Sequence, residues 1–145
     1  MEGDDAPEQG FKAFRLAASN FKIWEGTEGE EDADAIAAQL ELFADNFLPD
    51  ATSENILFEI LLKAGYDLNV PCEEINIGGH PVYSIADGQH LICLERNITR
   101  ETVDGMIERK PAGVICLDEA FHGDDALLTN TLLQMQDAEI IFQTI

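Results

Sequence analysis

Functional groups crowd together at one place in the chain: Asp118, Glu119, His122, Asp124 and Asp125 fall within nine residues, Leu117 to Asp125. Carboxylates and an imidazole are the donor set of a divalent-metal site. The stretch also follows a strand pattern and precedes a helical one, the position at which α/β sheets bind ligands. A small metal-dependent enzyme using Asp118, Glu119 and His122 is one reading. The more ordinary reading is capping. Asp124 and Asp125 suit the first turn of a helix, where carboxylates meet free backbone amides at a gain of roughly 0.5 to 2 kcal/mol each.

Other chemistries have less to build on. Cys93 and Cys116 lie inside the apolar runs LICL and VICL, and with Cys72 they are widely spaced and odd in number. Buried free thiols are expected, neither nucleophiles nor zinc ligands. No GxSxG elbow, GxGxxG loop or GxxxxGK loop occurs. Gly78-Gly79 joins two strand patterns and therefore reads as a turn. His80 and His90 flank strands and could face each other across a hairpin; solvent-facing edge positions are the expectation for both.

The elements that position these groups follow from periodicity. From Ala33, the residues Ile36, Leu40, Phe43 and Phe47 form one helical stripe, which Pro49 stops. A second helix starts near Ser53, a suitable N-cap, and ends at Gly65. Its run Ile56 to Ala64 is apolar nearly all round, so it is expected to be buried on more than one side. Glu73 to Ile77 and Pro81 to Ile85 alternate about Gly78-Gly79 as a hairpin. Asp87-Gly88 leads into the strand His90 to Glu95. Thr99 caps a helix carrying Val103, Met106 and Ile107, and Gly113 to Asp118 forms another apolar strand. A last helix from about Asp124 to Gln136, with Leu128, Leu132 and Met135 on one side, leads to the strand Ile140 to Ile145. The expected fold is α/β: a small three-layer or two-layer domain with two N-terminal helices, a β-hairpin edge and a parallel βαβαβ core.

Composition narrows the function classes. The chain has 145 residues, 46% of them hydrophobic, which is enough for one core. No apolar run reaches the roughly 20 residues of a membrane span, and the first ten residues lack the features of a signal peptide. A cytoplasmic setting is expected. With 29 acidic against 8 basic residues the net charge is -21, which repels phosphate backbones and anionic membranes. Direct nucleic-acid binding and membrane binding by this segment are therefore disfavoured. A free-standing acidic inhibitor that mimics DNA is an alternative reading of the same charge.

The N-terminal end carries a different signal. Residues 1–24 read as a frayed start followed by a strand, Phe11 to Leu16, and an aromatic segment holding Phe14, Phe21 and Trp24. Residues 25–32 read as an acidic linker, and 33–145 as the α/β domain. Aromatics on a tail with little core around it are candidates for an interface with a preceding domain.

The segments Gly10 to Trp24, Glu54 to Leu68, Pro81 to Glu95 and Ile115 to Asn130 resemble, in order, the C-terminal region of the modification subunit of type III restriction-modification systems, a site-specific DNA adenine methyltransferase. The resemblance implies that Phe11 to Leu16 matches the strand closing the methyltransferase core, and that a non-catalytic assembly domain follows the linker. It further implies as partners that core, a second modification subunit or the restriction subunit. The family's DPPY-type catalytic motif and its S-adenosylmethionine loop have no match here. No catalytic, cofactor or metal residue is carried over, and S-adenosylmethionine would belong to the parent enzyme. Where the family tends to place lysines in the segment matching Phe121 to Asn130, this chain has His122 and Leu128. The candidate interface residues are Phe14, Phe21, Trp24, Phe121 and His122.

Overall fold

Every local signal for a helix start or a tight turn C-terminal to Pro49 corresponds to an element in the computed structural model, which describes residues 11–22 and 47–145. The opening ten residues, Trp24, the linker 25–32 and the first expected helix up to residue 46 lie outside the described residues. Elements are numbered here within them.

Helix α1 spans Ser53–Lys63. Its cap is Thr52 rather than Ser53: the Thr52 hydroxyl accepts from the Asn55 amide at 3.2 Å, and Ser53 is the first helical residue. Two adjacent hydroxyl residues suit the position equally in sequence. Gly65, at φ +80°, ends the helix region as expected. Strands β1 (Cys72–Ile77) and β2 (His80–Ile85) pair antiparallel about Gly78 and Gly79, both with positive φ. Strand β3 (His90–Cys93) pairs antiparallel with β2. Helix α2 (Arg100–Glu108), capped by Thr99, then leads to β4 (Gly113–Cys116), parallel to β3. A short 3-10 turn (Asp118–Phe121) and helix α3 (Asp125–Asp137) precede β5 (Ile141–Thr144), parallel to β4. The sheet order is β1-β2-β3-β4-β5. Hairpin edge and parallel βαβαβ core are thus present as read from the sequence.

Alternation along the strands defines two faces. One carries Ile77, Val82, Leu91, Cys93, Val114 and Cys116, all buried. Helices α2 and α3 cover it, α2 through Thr102, Val103 and Met106, and α3 through Thr131 and Met135. The expected stripe on α3 is corrected here, since Leu132 is about half exposed and Thr131 takes the inner position, with its hydroxyl donated to the Leu127 carbonyl at 2.7 Å. The other face carries Ile85, His90, Ile92, Gly113, Ile115, Ile141 and Gln143, and α1 lies on it through Leu61 and Ala64. The domain therefore has three layers, with α1 buried through Ile56, Leu57, Ile60 and Leu61. Cys93 and Cys116 are free buried thiols; Cys72 is half-buried. Among the described residues no helix is long and apolar enough to cross a membrane.

Two close approaches set the spacing of the inner layer. Gly105 sits in the middle of α2, where a Cβ would lie 2.5 Å from Ile77 Cγ2. At Gly78 a Cβ would come within 2.6 Å of the Thr102 amide. The helix rests directly on the turn of the hairpin because both side chains are absent.

Candidate interaction site

The N-terminal segment holds two of the aromatics singled out in the sequence, and both meet the body of the domain at α1. The Phe14 ring stands edge-on to Phe58, with centroids 5.1 Å apart. Phe21 lies 4.9 Å from Phe47, and Lys63 Nζ sits 4.0 Å from the Phe21 centroid, a cation over a ring face. Phe21 and Phe47 also form an isolated antiparallel bridge, and the Leu48 amide donates to the Asn20 carbonyl at 2.8 Å.

Between these rings the segment closes on Glu59. Ser19 Oγ donates to one carboxylate oxygen at 2.5 Å. The Asn20 amide and side chain donate to the other at 2.7 and 2.9 Å, and Lys63 pairs with Glu59 at 2.9 Å. Burial pushes this carboxyl up, but the donors from Ser19, Asn20 and Lys63 together outweigh it and bring its pKa down to about 2. Upstream of the clamp Phe14 still touches Phe58, but Phe11 is 92% and Leu16 98% exposed.

The carboxylates around the 3-10 turn are drawn to separate tasks. Asp124 Oδ1 caps α3, accepting from the Leu127 amide at 2.8 Å, and Asp125 lies in its first turn. Glu119 pairs with Arg96 at 3.3 Å. Asp118 and His122 are exposed. Among the described residues no group of three or more His, Cys, Asp or Glu is arranged to hold a metal ion. Phe121 is corrected from interface to core: it is only 3% exposed and stands edge-on to Phe142 at 5.9 Å. The two groups lie on different elements: Phe14 and Phe21 meet Phe58 and Phe47, whereas Phe121 meets Phe142.

His80 and His90 do not face each other. His80 pairs with Ile77 and His90 with Ile85 in the sheet register, and both are half-buried. His80 Nδ1 is buried without a partner. His90 Nδ1 bonds the Tyr66 hydroxyl, and the two residues line a cavity of about 80 Å³ with Leu61, Ile115, Ile141 and Gln143. Burial pushes the Tyr66 hydroxyl up from its ordinary value. Gly113 makes room for the imidazole, since a Cβ there would lie 2.7 Å from His90 Cδ2. Neither the Glu59 clamp nor the Tyr66–His90 pair was signalled by spacing, because each joins residues far apart in the chain.

Fold and site together describe a three-layer α/β domain with an N-terminal strap anchored on α1. No protein-family model matches the sequence, and comparison with curated proteins gives no match.

Proposed function

We propose that this chain is a C-terminal, non-catalytic domain of a type III DNA adenine-N6 methyltransferase, working in the cytoplasm in subunit assembly. The observation that carries the reading is the strap. Phe11 and Leu16 expose apolar side chains almost fully on a segment without regular secondary structure, while Ser19 to Phe21 are fastened to α1. Phe11 to Leu16 form no strand within this chain, and an exposed apolar segment continuous with a fixed anchor fits a chain whose strand partner lies in another folded unit. The order of the four resembling segments supplies the identity of that unit, a methyltransferase core that would hold S-adenosylmethionine and the catalytic motif. The proposed partners are that core, a second modification subunit or the restriction subunit.

The test is co-expression with a type III methyltransferase core truncated before the strand matching Phe11 to Leu16. The expected result is a co-purifying complex that binds S-adenosylmethionine through the core, weakened when Phe11 and Leu16 are both replaced by serine. Methyl transfer to DNA by the isolated chain, or failure of any such core to associate, would sink the proposal.

A further inference from the structure

On the face covered by α1 the sheet has a gap. His90, Gly113 and Ile141 are each the first residue of their strands and lie side by side in register. The next row on that face is Ile92, Ile115 and Gln143. Gly113 adds no side chain to the middle of the first row, and the end of α1, at Leu61 and Ala64, forms the roof. The space left is the cavity of about 80 Å³. It opens towards β5, where Ile141 is 67% exposed and Gln143 is exposed as well.

The polar group at this cavity is the Tyr66–His90 pair, whose rings stand edge-on with centroids 5.4 Å apart. Among the described residues, His90 Nδ1 is the partner of the Tyr66 hydroxyl, and burial keeps that hydroxyl protonated. The phenol proton therefore goes to Nδ1, which puts the imidazole proton on Nε2. Nε2 lies over Gly113, 3.0 Å from where a Cβ would stand, and Gly113 lines the cavity. One N–H donor is thus set among walls of Leu61, Ala64, Ile115 and Ile141.

Size and charge narrow what fits. At roughly 30 Å³ per molecule of liquid water, the cavity holds about two or three waters or about four non-hydrogen atoms. Water is poorly served there, because each molecule needs roughly two to four polar partners and most of the wall is apolar. A carbon-bearing ligand that displaces such water gains affinity. The N–H donor asks for an acceptor, which excludes a cation. The net charge of -21 repels an anion.

We infer that this cavity is a binding site for a small uncharged molecule with a carbonyl or hydroxyl oxygen and a short apolar body, such as a ketone, amide or alcohol of about four non-hydrogen atoms. The oxygen accepts from His90 Nε2, and the methyl groups lie against Ile115 and Ile141. S-adenosylmethionine is far larger than this space, so the cavity is no cofactor site of the proposed parent enzyme, and failure here would leave the methyltransferase reading untouched.

Acetone and acetate are close in size and differ in charge, which makes them the test pair. The whole chain, labelled in its amides and isoleucine methyl groups, is titrated with each at matched ionic strength and followed by nuclear magnetic resonance. Acetone is expected to move the Gly113 amide and the Ile115 and Ile141 methyl signals saturably, with a dissociation constant in the millimolar range, the scale for so small a ligand. Acetate should move none of them saturably. His90→Phe keeps a ring in place and removes the donor, and should weaken acetone binding about fivefold, the worth of one ordinary hydrogen bond. Ala64→Leu fills the roof from an exposed position and should abolish saturable binding; it decides the matter if His90→Phe fails to fold. Acetone shifts that never saturate, acetate bound as tightly as acetone, or full acetone affinity in either variant overturns the inference.

Discussion

At Glu59 four donors converge on one carboxylate, from Ser19, the Asn20 amide, the Asn20 side chain and Lys63. Its pKa of about 2, against an ordinary 4.5, ties acid stability to the strap. A carboxyl held low when folded contributes stability that is complete above pH 4.5 and is lost as pH falls towards 2. Urea midpoints measured across that window should fall, and Glu59→Gln should flatten the fall while losing about 1 to 2 kcal/mol at neutral pH. An unchanged acid profile in that variant would remove Glu59 from the account. Gly105 answers to a different force. Gly105→Ala places a methyl group against Ile77, so overpacking of about 1 to 3 kcal/mol outweighs the roughly 1 kcal/mol that alanine gains in a helix. A lowered thermal midpoint is the expected reading; a raised one would mean that α2 shifts freely.

Among the elements, the turn between β2 and β3 holds three successive left-handed residues, Ala86, Asp87 and Gly88, at φ 52°, 57° and 88°. Glycine adopts this region freely and aspartate tolerates it, which leaves Ala86 as the strained position. Ala86→Gly should therefore stabilise the chain by about 0.5 to 1 kcal/mol, read from the urea midpoint with an unchanged slope. The turn also shows what sequence makes legible. Asp87-Gly88 marks it because those residue types tolerate positive φ, and Gly78-Gly79, Thr99 and Asp124 are marked by equally local chemistry. The βαβαβ order follows from period alone. Where reading fails, the missing information is tertiary. Phe121 looks like a surface aromatic beside His122 until the 3-10 turn rotates it under Phe142. Leu132 fits the α3 stripe as well as Thr131 does, until the direction of the sheet decides between them. Tyr66 meets His90, and Ser19 meets Glu59, across 24 and 40 residues, and no local pattern marks such partners.

For the molecule as a whole, charge is the dominant variable. A chain of net charge -21 repels itself most when compact. Raising salt from about 0.01 to 0.5 M shortens the screening length from about 30 Å to less than 8 Å. The thermal midpoint should rise over that range by calorimetry at a protein concentration held constant. A midpoint indifferent to salt would show the acidic groups to be too far apart to matter.

Strand order also has a consequence for synthesis. Because the strands lie in the sheet in the order they occur in the chain, each can join the growing sheet as it leaves the ribosome, a topology that favours fast folding. The longest wait follows β4. That strand ends at Cys116, and its outer partner starts at Ile141, 25 residues later. At 5 to 20 residues per second this leaves about one to five seconds. During that time Gly-Val-Ile-Cys is itself a bare apolar edge. The thiol of Cys116, which burial later pushes well above its ordinary pKa, can then meet reagents that never reach it afterwards. Alkylation of nascent chains stalled before and after β5 would read the closing of that window.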